Sequence, residues 1–311
     1  DDIEPPLRGI FVYNHNPLIV HPDQNTMRQG LAREDVFTVV ADVAMTDTAA
    51  YADVVLPAAS HFEHEDIFCA YGQQFLQRAE PVIEPVGEAL PNTEIFRRLA
   101  HRFGFDDPIF QASDKALIDD AIDADDPRLS GTLASELPTG TALSMGAPTD
   151  RIGFERVPTT RSGRIELKSA YLTETFDAPI PLYVPLAEDQ KAVPDHPFAL
   201  ISPSSNWRTN STFGGLPKSD SVPPLEMHPD DAALRGLIDG QRVRVYNDQG
   251  EVFLPLRITD SVAPRVLLSY KGAWMKTTSN GQTVSALAPA TKADLSDGAC
   301  YNDTRVAVEA A

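Results

Sequence analysis

The sequence predicts an α/β part followed by a mostly β part, and three observations carry that reading. Residues 7–105 alternate apolar runs with helix-compatible stretches, as a parallel sheet with helices on its faces requires. Within them, Phe37-Thr38-Val39-Val40-Ala41-Asp42 leads through Met45-Thr46-Asp47-Thr48-Ala49-Ala50-Tyr51 to Ala52-Asp53-Val54-Val55-Leu56-Pro57, then to Glu63-His64-Glu65-Asp66. This reads as strand, carboxylate, short helix, strand. It sets polar groups at the carboxyl ends of adjacent strands, where open α/β sheets bind nucleotides. Residues 196–311, in contrast, read as short strands with one short helix, the pattern of a small barrel.

Taken in order, residues 7–13 (Leu-Arg-Gly-Ile-Phe-Val-Tyr) are mostly apolar, as expected of a strand covered on both faces. Asn14-His15-Asn16-Pro17 breaks that strand. A helix-compatible stretch over 23–32 follows, then a strand at 37–41, a helix over 46–52 and a strand at 53–56. Asn92 or Thr93 is placed to cap a helix whose Ile95, Phe96, Leu99 and Phe103 share one face, and Gly104 ends it. Residues 106–195 are rich in proline, aspartate and serine. A helix near 113–122 and a strand at 163–167 punctuate what reads as a long connector that wraps another surface. Beyond it, 198–201 is a strand. His228-Pro229-Asp230-Asp231 opens a short helix, with proline in its first turn and acids near its positive end, and Gly236 closes it. Val243 and Val245 alternate with Arg242 and Arg244, the pattern of a half-buried strand. Residues 247–250 make a turn, after which Val252, Leu254, Leu256 and Ile258 share one strand face. Residues 266–268 and 306–308 supply further strands. The division along the chain is therefore 1–110, a connector over 111–195, and 196–311.

A chain of 311 residues, 42% of them hydrophobic, is long enough for two domains with real cores. No stretch approaches ~20 uninterrupted apolar residues, so no membrane span is expected. The net charge of −19 repels phosphates and argues against a nucleic-acid surface; it is read chiefly as solubility. Cys69 and Cys300 are too few for a disulfide scaffold or a cysteine-held cluster, and two free thiols are expected. The chain opens Asp1-Asp2-Ile3 without an initiator methionine or a leader-like stretch, and is read as cut or processed from a longer one.

An ordered set of segments resembles one family. Asn16-Pro17, Gly30-Leu31-Ala32-Arg33-Glu34-Asp35, Thr46-Asp47-Thr48-Ala49, Ala52-Asp53-Val54-Val55-Leu56-Pro57 and Glu63-His64 come first. Gly87-Glu88-Ala89 with Asn92, Ser162-Gly163-Arg164-Ile165-Glu166, Asn210-Ser211-Thr212-Phe213, His228-Pro229-Asp230-Asp231-Ala232 and Asp239-Gly240 follow. Each is weak alone, but together they span nearly the whole chain. They resemble the molybdopterin oxidoreductases of the DMSO reductase family, in its biotin sulfoxide reductase and formate dehydrogenase-like branch. The resemblance implies a partial Rossmann-like parallel sheet with helices for 1–110 and a double-psi β-barrel for 196–311. It implies the carboxyl-terminal part of a molybdenum-dependent oxidoreductase, inactive alone. That part would bind the molybdopterin guanine dinucleotide that carries two-electron or oxygen-atom transfer. Neither cysteine lies in a segment resembling the metal-ligand segment, so the molybdenum ligand is expected outside this chain. An iron–sulfur cluster, in members that carry one, belongs to the amino-terminal portion. The implied partners are the upstream part of the same polypeptide and an electron-transfer subunit, with no nucleic acid. The compartment is open, with the cytoplasm favoured.

Such a cofactor sets the chemistry of its site. Guanine's edge offers N–H donors that carboxylates and amide oxygens accept, and the pyrophosphates need backbone N–H groups and hydroxyls. The resemblance places cofactor contacts at Asn16, Ala41, Asp42, Thr48, His64, Asn92, Ser202, Ser204, Arg208, Thr209, Ser285 and Asn302. Read from position alone, Asp42 is a strand-end acid that reads first as a solvated turn residue or helix cap, and the resemblance favours a ribose or guanine edge. Asn16 before its proline is equally an ordinary turn residue. Residues 202–210 are rich in hydroxyls and amides and resemble the family's loop along the pyrophosphate and pterin, with Arg208 on phosphate oxygens. Ser285 stands in Ser285-Ala286-Leu287-Ala288, where the family has a more polar segment, and Trp274 is read as core packing. His61 and His64 have a chelating spacing but no third ligand nearby, so the metal reading is set aside, and it is the resemblance that places His64 at the dinucleotide. No catalytic residue is assigned. Two rival readings are a non-redox member of the family, of hydratase or transhydroxylase type, and a non-catalytic nucleotide-binding or assembly module.

Overall fold

The structure, a computed structural model, describes residues 4–69, 71–123, 125–145, 158, 160–180, 182–183, 185, 195–219 and 221–311. By contact the chain forms two units, Asp1–Leu56 with Pro185–Ala311, and Pro57–Val184.

The first unit opens with a three-stranded sheet of β1 (Gly9–Tyr13), β2 (Phe37–Asp42) and β3 (Val54–Pro57), in that order. β1 and β2 run parallel, with Gly9 opposite Phe37 and Tyr13 opposite Ala41. Parallel strands need a helical crossover, and α1 (Pro17–Val20) and α2 (Gln24–Leu31) supply it. Asp23 caps α2 by accepting from Thr26 N–H at 3.2 Å. Val12, Val40 and Ala49 form the core of this part, with Ile10, Ala52 and Val55 against them. Residues 7–13 read as a strand that wants cover on both faces, and in this chain part of that cover is lacking. Only Val12 of β1 is buried, while Tyr13 is 48% and Phe37 of β2 56% exposed. The helix expected over 46–52 shrinks to a 3₁₀ turn at Ala49–Tyr51. Its side chains compete with a helix for backbone groups: Thr46 Oγ1 accepts from Ala49 N–H, and Asp47 accepts from Met275 N–H.

The second unit holds an antiparallel sheet of β4 (Asp66–Phe68), β5 (Phe75–Ala79) and β6 (Leu143–Ser144), over Leu76, Leu129 and Leu137. α3 (Asn92–Phe103) is capped differently from expectation. Pro91 is its N-cap, and neither Asn92 nor Thr93 caps it, because the fixed φ of Pro91 starts the helix one residue early. Ile95 and Ala100 are buried on α3, but Phe103 is 71% exposed. Gly104 ends the helix at φ 74°, a left-handed position where a β-carbon is strained. Gly104→Ala is therefore expected to cost about 1 kcal/mol, read as a lower denaturation midpoint. α4 (Asp114–Asp120) has Ser113 as its cap. The first part of the expected connector packs within this unit, since Arg97 donates to Ala112 O and Arg78 to Leu137 O. No strand forms at 163–167. Thr160 Oγ1 donates to Arg164 O at 2.6 Å and Ser162 Oγ to Glu166 at 2.7 Å, and these local bonds build a turn where a ladder was expected. α5 (Ala170–Phe176), which the sequence reading does not anticipate, follows with Ser169 as its cap.

The first unit is completed by a closed six-stranded barrel. Its strands are β7 (Phe198–Ile201), β8 (Leu225–Met227), β9 (Arg242–Asn247), β10 (Gly250–Ile258), β11 (Val266–Leu268) and β12 (Thr304–Ala310). They close in the order β10-β8-β11-β7-β12-β9. β10 with β8 and β11 with β7 are parallel; the other pairs are antiparallel. The period-two pattern read from β9 and β10 points Val243, Val245, Val252, Leu254 and Leu256 inward, each at most 2% exposed. Leu200, Leu225, Met227 and Leu267 fill the rest. The short helix α6 (Pro229–Leu234) begins at His228, whose Nδ1 accepts from Asp230 N–H. Among the described residues no helix is long and apolar enough to cross a membrane.

Candidate functional site

In the first unit, the loops after β1 and β2 meet the barrel around the one-turn helix α1. Asn16 precedes it, 4% exposed, and its Oδ1 accepts from both the N–H (3.3 Å) and the hydroxyl (2.6 Å) of fully buried Thr48. Thr48 Oγ1 in turn accepts from Leu18 N–H at 3.2 Å. The expected contacts Asn16 and Thr48 are thus brought together as one buried pair. Asn16 Nδ2 has no hydrogen-bond partner among the described residues. A buried amide donor left unmatched is costly, so this atom calls for an acceptor.

The other end of α1 leaves carbonyls that its own turn cannot satisfy. Gln24 Nε2 donates to Leu18 O at 3.0 Å, Ser285 Oγ to Ile19 O at 2.8 Å and Tyr301 O–H to Val20 O at 2.6 Å. Gln24 also accepts from Thr283 N–H, and Asn25 donates to Gln249 O. α2 and the barrel loops together therefore clamp α1 carbonyl by carbonyl. Ser285, read as a cofactor contact, is committed to this clamp and is 6% exposed. Gln24 and Tyr301 were not singled out from sequence. A glutamine in the first turn of α2, where its neighbours point outward, was the only available signal. Ser285→Ala should cost about 1 kcal/mol through the lost bond to Ile19, measurable by urea denaturation.

At the carboxyl end of β2, Ala41 is buried and its backbone pairs with Tyr13. Asp42 follows, half-buried, with Oδ1 accepting from Val43 N–H at 2.7 Å. Burial raises its pKa above the usual carboxylate value, against the lowering pull of the Val43 and Ala44 N–H groups. Asp47 is raised by burial in the same way, and its Oδ2 accepts from Met275 N–H at 3.0 Å, tying the β2 loop to the barrel.

On the barrel, Asn302 Oδ1 accepts from Ser202 N–H at 3.1 Å, joining two more of the expected contacts. Ser204 and Thr209 are exposed. Arg208 is 5% exposed, and its guanidinium donates to the carbonyls of Ser219 and Ser221. It staples the 203–221 loop from within. Trp274 lies under that loop, 6% exposed, its indole donating to Ser211 O at 2.9 Å. His64 and Asn92 belong to the second unit: His64 Nδ1 pairs with Glu65 O at 3.1 Å, and Asn92 opens α3. Among the described residues no group of three or more His, Cys, Asp or Glu side chains could hold a metal ion.

Residues 3–102 match the family model described as Molybdopterin oxidoreductase, and residues 198–305 the one described as Molydopterin dinucleotide binding domain. The chain is 38% identical over 312 residues to "Probable oxidoreductase YoaE" of Bacillus subtilis (strain 168), covering 99% of this chain and 45% of that protein. It is 28% identical over 302 residues to the dimethyl sulfoxide/trimethylamine N-oxide reductase of Rhodobacter capsulatus, covering 87% and 36%. Acetylene hydratase from Pelobacter acetylenicus shares the fold, with a TM-score of 0.77 over 98% of this chain and 44% of that one at 22% identity. The chain thus spans less than half the length of each of these proteins.

Proposed function

Because the chain belongs to the DMSO reductase family of molybdopterin oxidoreductases, whose cofactor is molybdopterin guanine dinucleotide, we propose that it holds the dinucleotide arms of that cofactor. In this reading it is the carboxyl-terminal part of the enzyme, and the rest of the polypeptide and an electron-transfer subunit complete it. Bound molybdenum supplies two-electron or oxygen-atom chemistry, and its ligand lies outside this chain. Residues 1–110 serve as the Rossmann-like domain and 196–311 as a double-psi barrel joined by 111–195.

The observation that carries the reading is the buried, unmatched Nδ2 of Asn16 after β1, with a carboxylate at the end of the adjacent parallel β2. The crevice beyond the carboxyl ends of parallel strands is where nucleotides sit. Asn16 Nδ2 donates to a ligand oxygen, while Thr48 orients the amide from behind. Asp42 accepts from guanine N–H groups. Ser204 and Thr209 are exposed residues, and their hydroxyls are assigned to phosphate oxygens. Arg208, Ser285 and Asn302 act one step back, holding the loops and α1 that present these groups. Contacts at His64 and Asn92 are proposed on the resemblance alone.

The test is a titration of the chain with guanosine diphosphate and, as control, adenosine diphosphate. Guanine preference is expected. Asp42→Ala should weaken binding by roughly 10- to 100-fold, the worth of hydrogen bonds to a charged group, with little change in melting temperature. Affinity should also fall as pH is lowered. Guanine N–H groups bind only the ionised carboxylate, and the raised Asp42 pKa puts that loss at a higher pH than an ordinary aspartate would. Equal binding of both nucleotides, or an unchanged Asp42→Ala, refutes the reading.

A further inference from the structure

His15 and His21 stand at the two ends of α1, and the proposed function uses neither. Both are exposed, yet their Nε2 atoms approach to 2.8 Å, with ring centroids 4.9 Å apart at 89°. With no ion, one ring must donate and the other accept, and a second proton would set two N–H groups against each other. A divalent ion uses both lone pairs at once. At the 90° cis angle of a square-planar or octahedral ion, two imidazole nitrogens each about 2.0–2.1 Å away stand about 2.9 Å apart, close to the spacing seen, whereas a tetrahedral ion opens them to about 3.3 Å. The scaffold is already fixed. His21 N–H bonds Pro17 O, and the remaining carbonyls of α1 are held by Gln24, Ser285 and Tyr301. Little ordering is then left for an ion to impose. The chain's charge of −19 raises the local concentration of cations.

We propose that His15 and His21 form a two-imidazole site for a borderline divalent cation of the zinc, nickel or copper class. Among the described residues no third side chain completes the set, so water fills the remaining positions and the ion exchanges readily. Imidazole nitrogen suits this class of ion, whereas magnesium and calcium prefer oxygen.

The experiment is a calorimetric titration of zinc chloride into the whole untagged chain at pH 7.5 and pH 5.5. One saturable equivalent is expected at pH 7.5, weakened at pH 5.5 because protons compete for both ligands. His15→Ala and His21→Ala should each lose at least about tenfold in affinity, and His101→Ala on α3 none. Magnesium chloride should not bind there. A wild-type measurement makes the result independent of how the variants fold: substoichiometric copper(II) should broaden the ring resonances of two of the seven histidines first. Absence of a saturable site, wild-type affinity in either His15→Ala or His21→Ala, or uniform broadening of all histidines overturns the proposal.

Discussion

Gly272→Ala is expected to dislodge the 203–221 loop and to lower stability by more than about 3 kcal/mol. Gly272 follows β11 at φ 89°, a region that L side chains avoid, and a β-carbon there would lie 1.6 Å from Asn210 O. Backbone blocks the space, so no rotamer change can relieve the contact. The neighbouring bonds that extend the β7–β11 pairing, Ser269 N–H to Ile201 O and Lys271 N–H to Pro203 O, hold Gly272 in place. The loop must move instead, and with it Ser204, Thr209 and the Trp274 contact to Ser211. Chemical denaturation monitored by tryptophan fluorescence reads the effect, since Trp274 reports on the loop. A variant that melts within about 0.5 kcal/mol of the parent, the range of neutral surface changes, would show that the loop is free to shift.

The second large effect is expected for Gln24→Leu, at about 2–4 kcal/mol. Leucine nearly matches the volume, so packing survives, but Leu18 O and Thr283 N–H both lose their partner in a buried setting. Each unmatched group costs about 1–3 kcal/mol. Urea denaturation reads the loss. If Gln24→Leu proves neutral, the bridge from α1 through Gln24 to Thr283 contributes nothing to stability.

Legibility from sequence followed how local each feature is. Alternation in residues 242–258 specified β9 and β10 because one face of each strand is buried. The strand ending in Asp42 and the helix after Asp23 carried local signals and were readable. The segment 46–52 looked helical because nothing nearby reveals that Asp47 bonds Met275, 228 residues away. Ser285 and Arg208 were placed at the cofactor by the resemblance, and sequence could not show what else they bond. Their partners, Ile19 O and the carbonyls of Ser219 and Ser221, appear only on folding. The strand expected at 163–167 is a turn, its Ile165 and Leu167 both exposed, because the local bonds of Thr160 and Ser162 are not visible in the sequence.

The closure of the barrel has a consequence for biosynthesis. β12 lies between β7 and β9, separated from β7 by about a hundred residues of chain, and it is made last. Until then β7 and β9 each present an unpaired edge, the kind of surface on which nascent chains mispair. α1 waits longer still, because the hydroxyl that caps Val20 O comes from Tyr301, 281 residues downstream. Such distant pairings close slowly. The turn at α1 therefore leaves the ribosome well before Tyr301 and reaches its final form only after it.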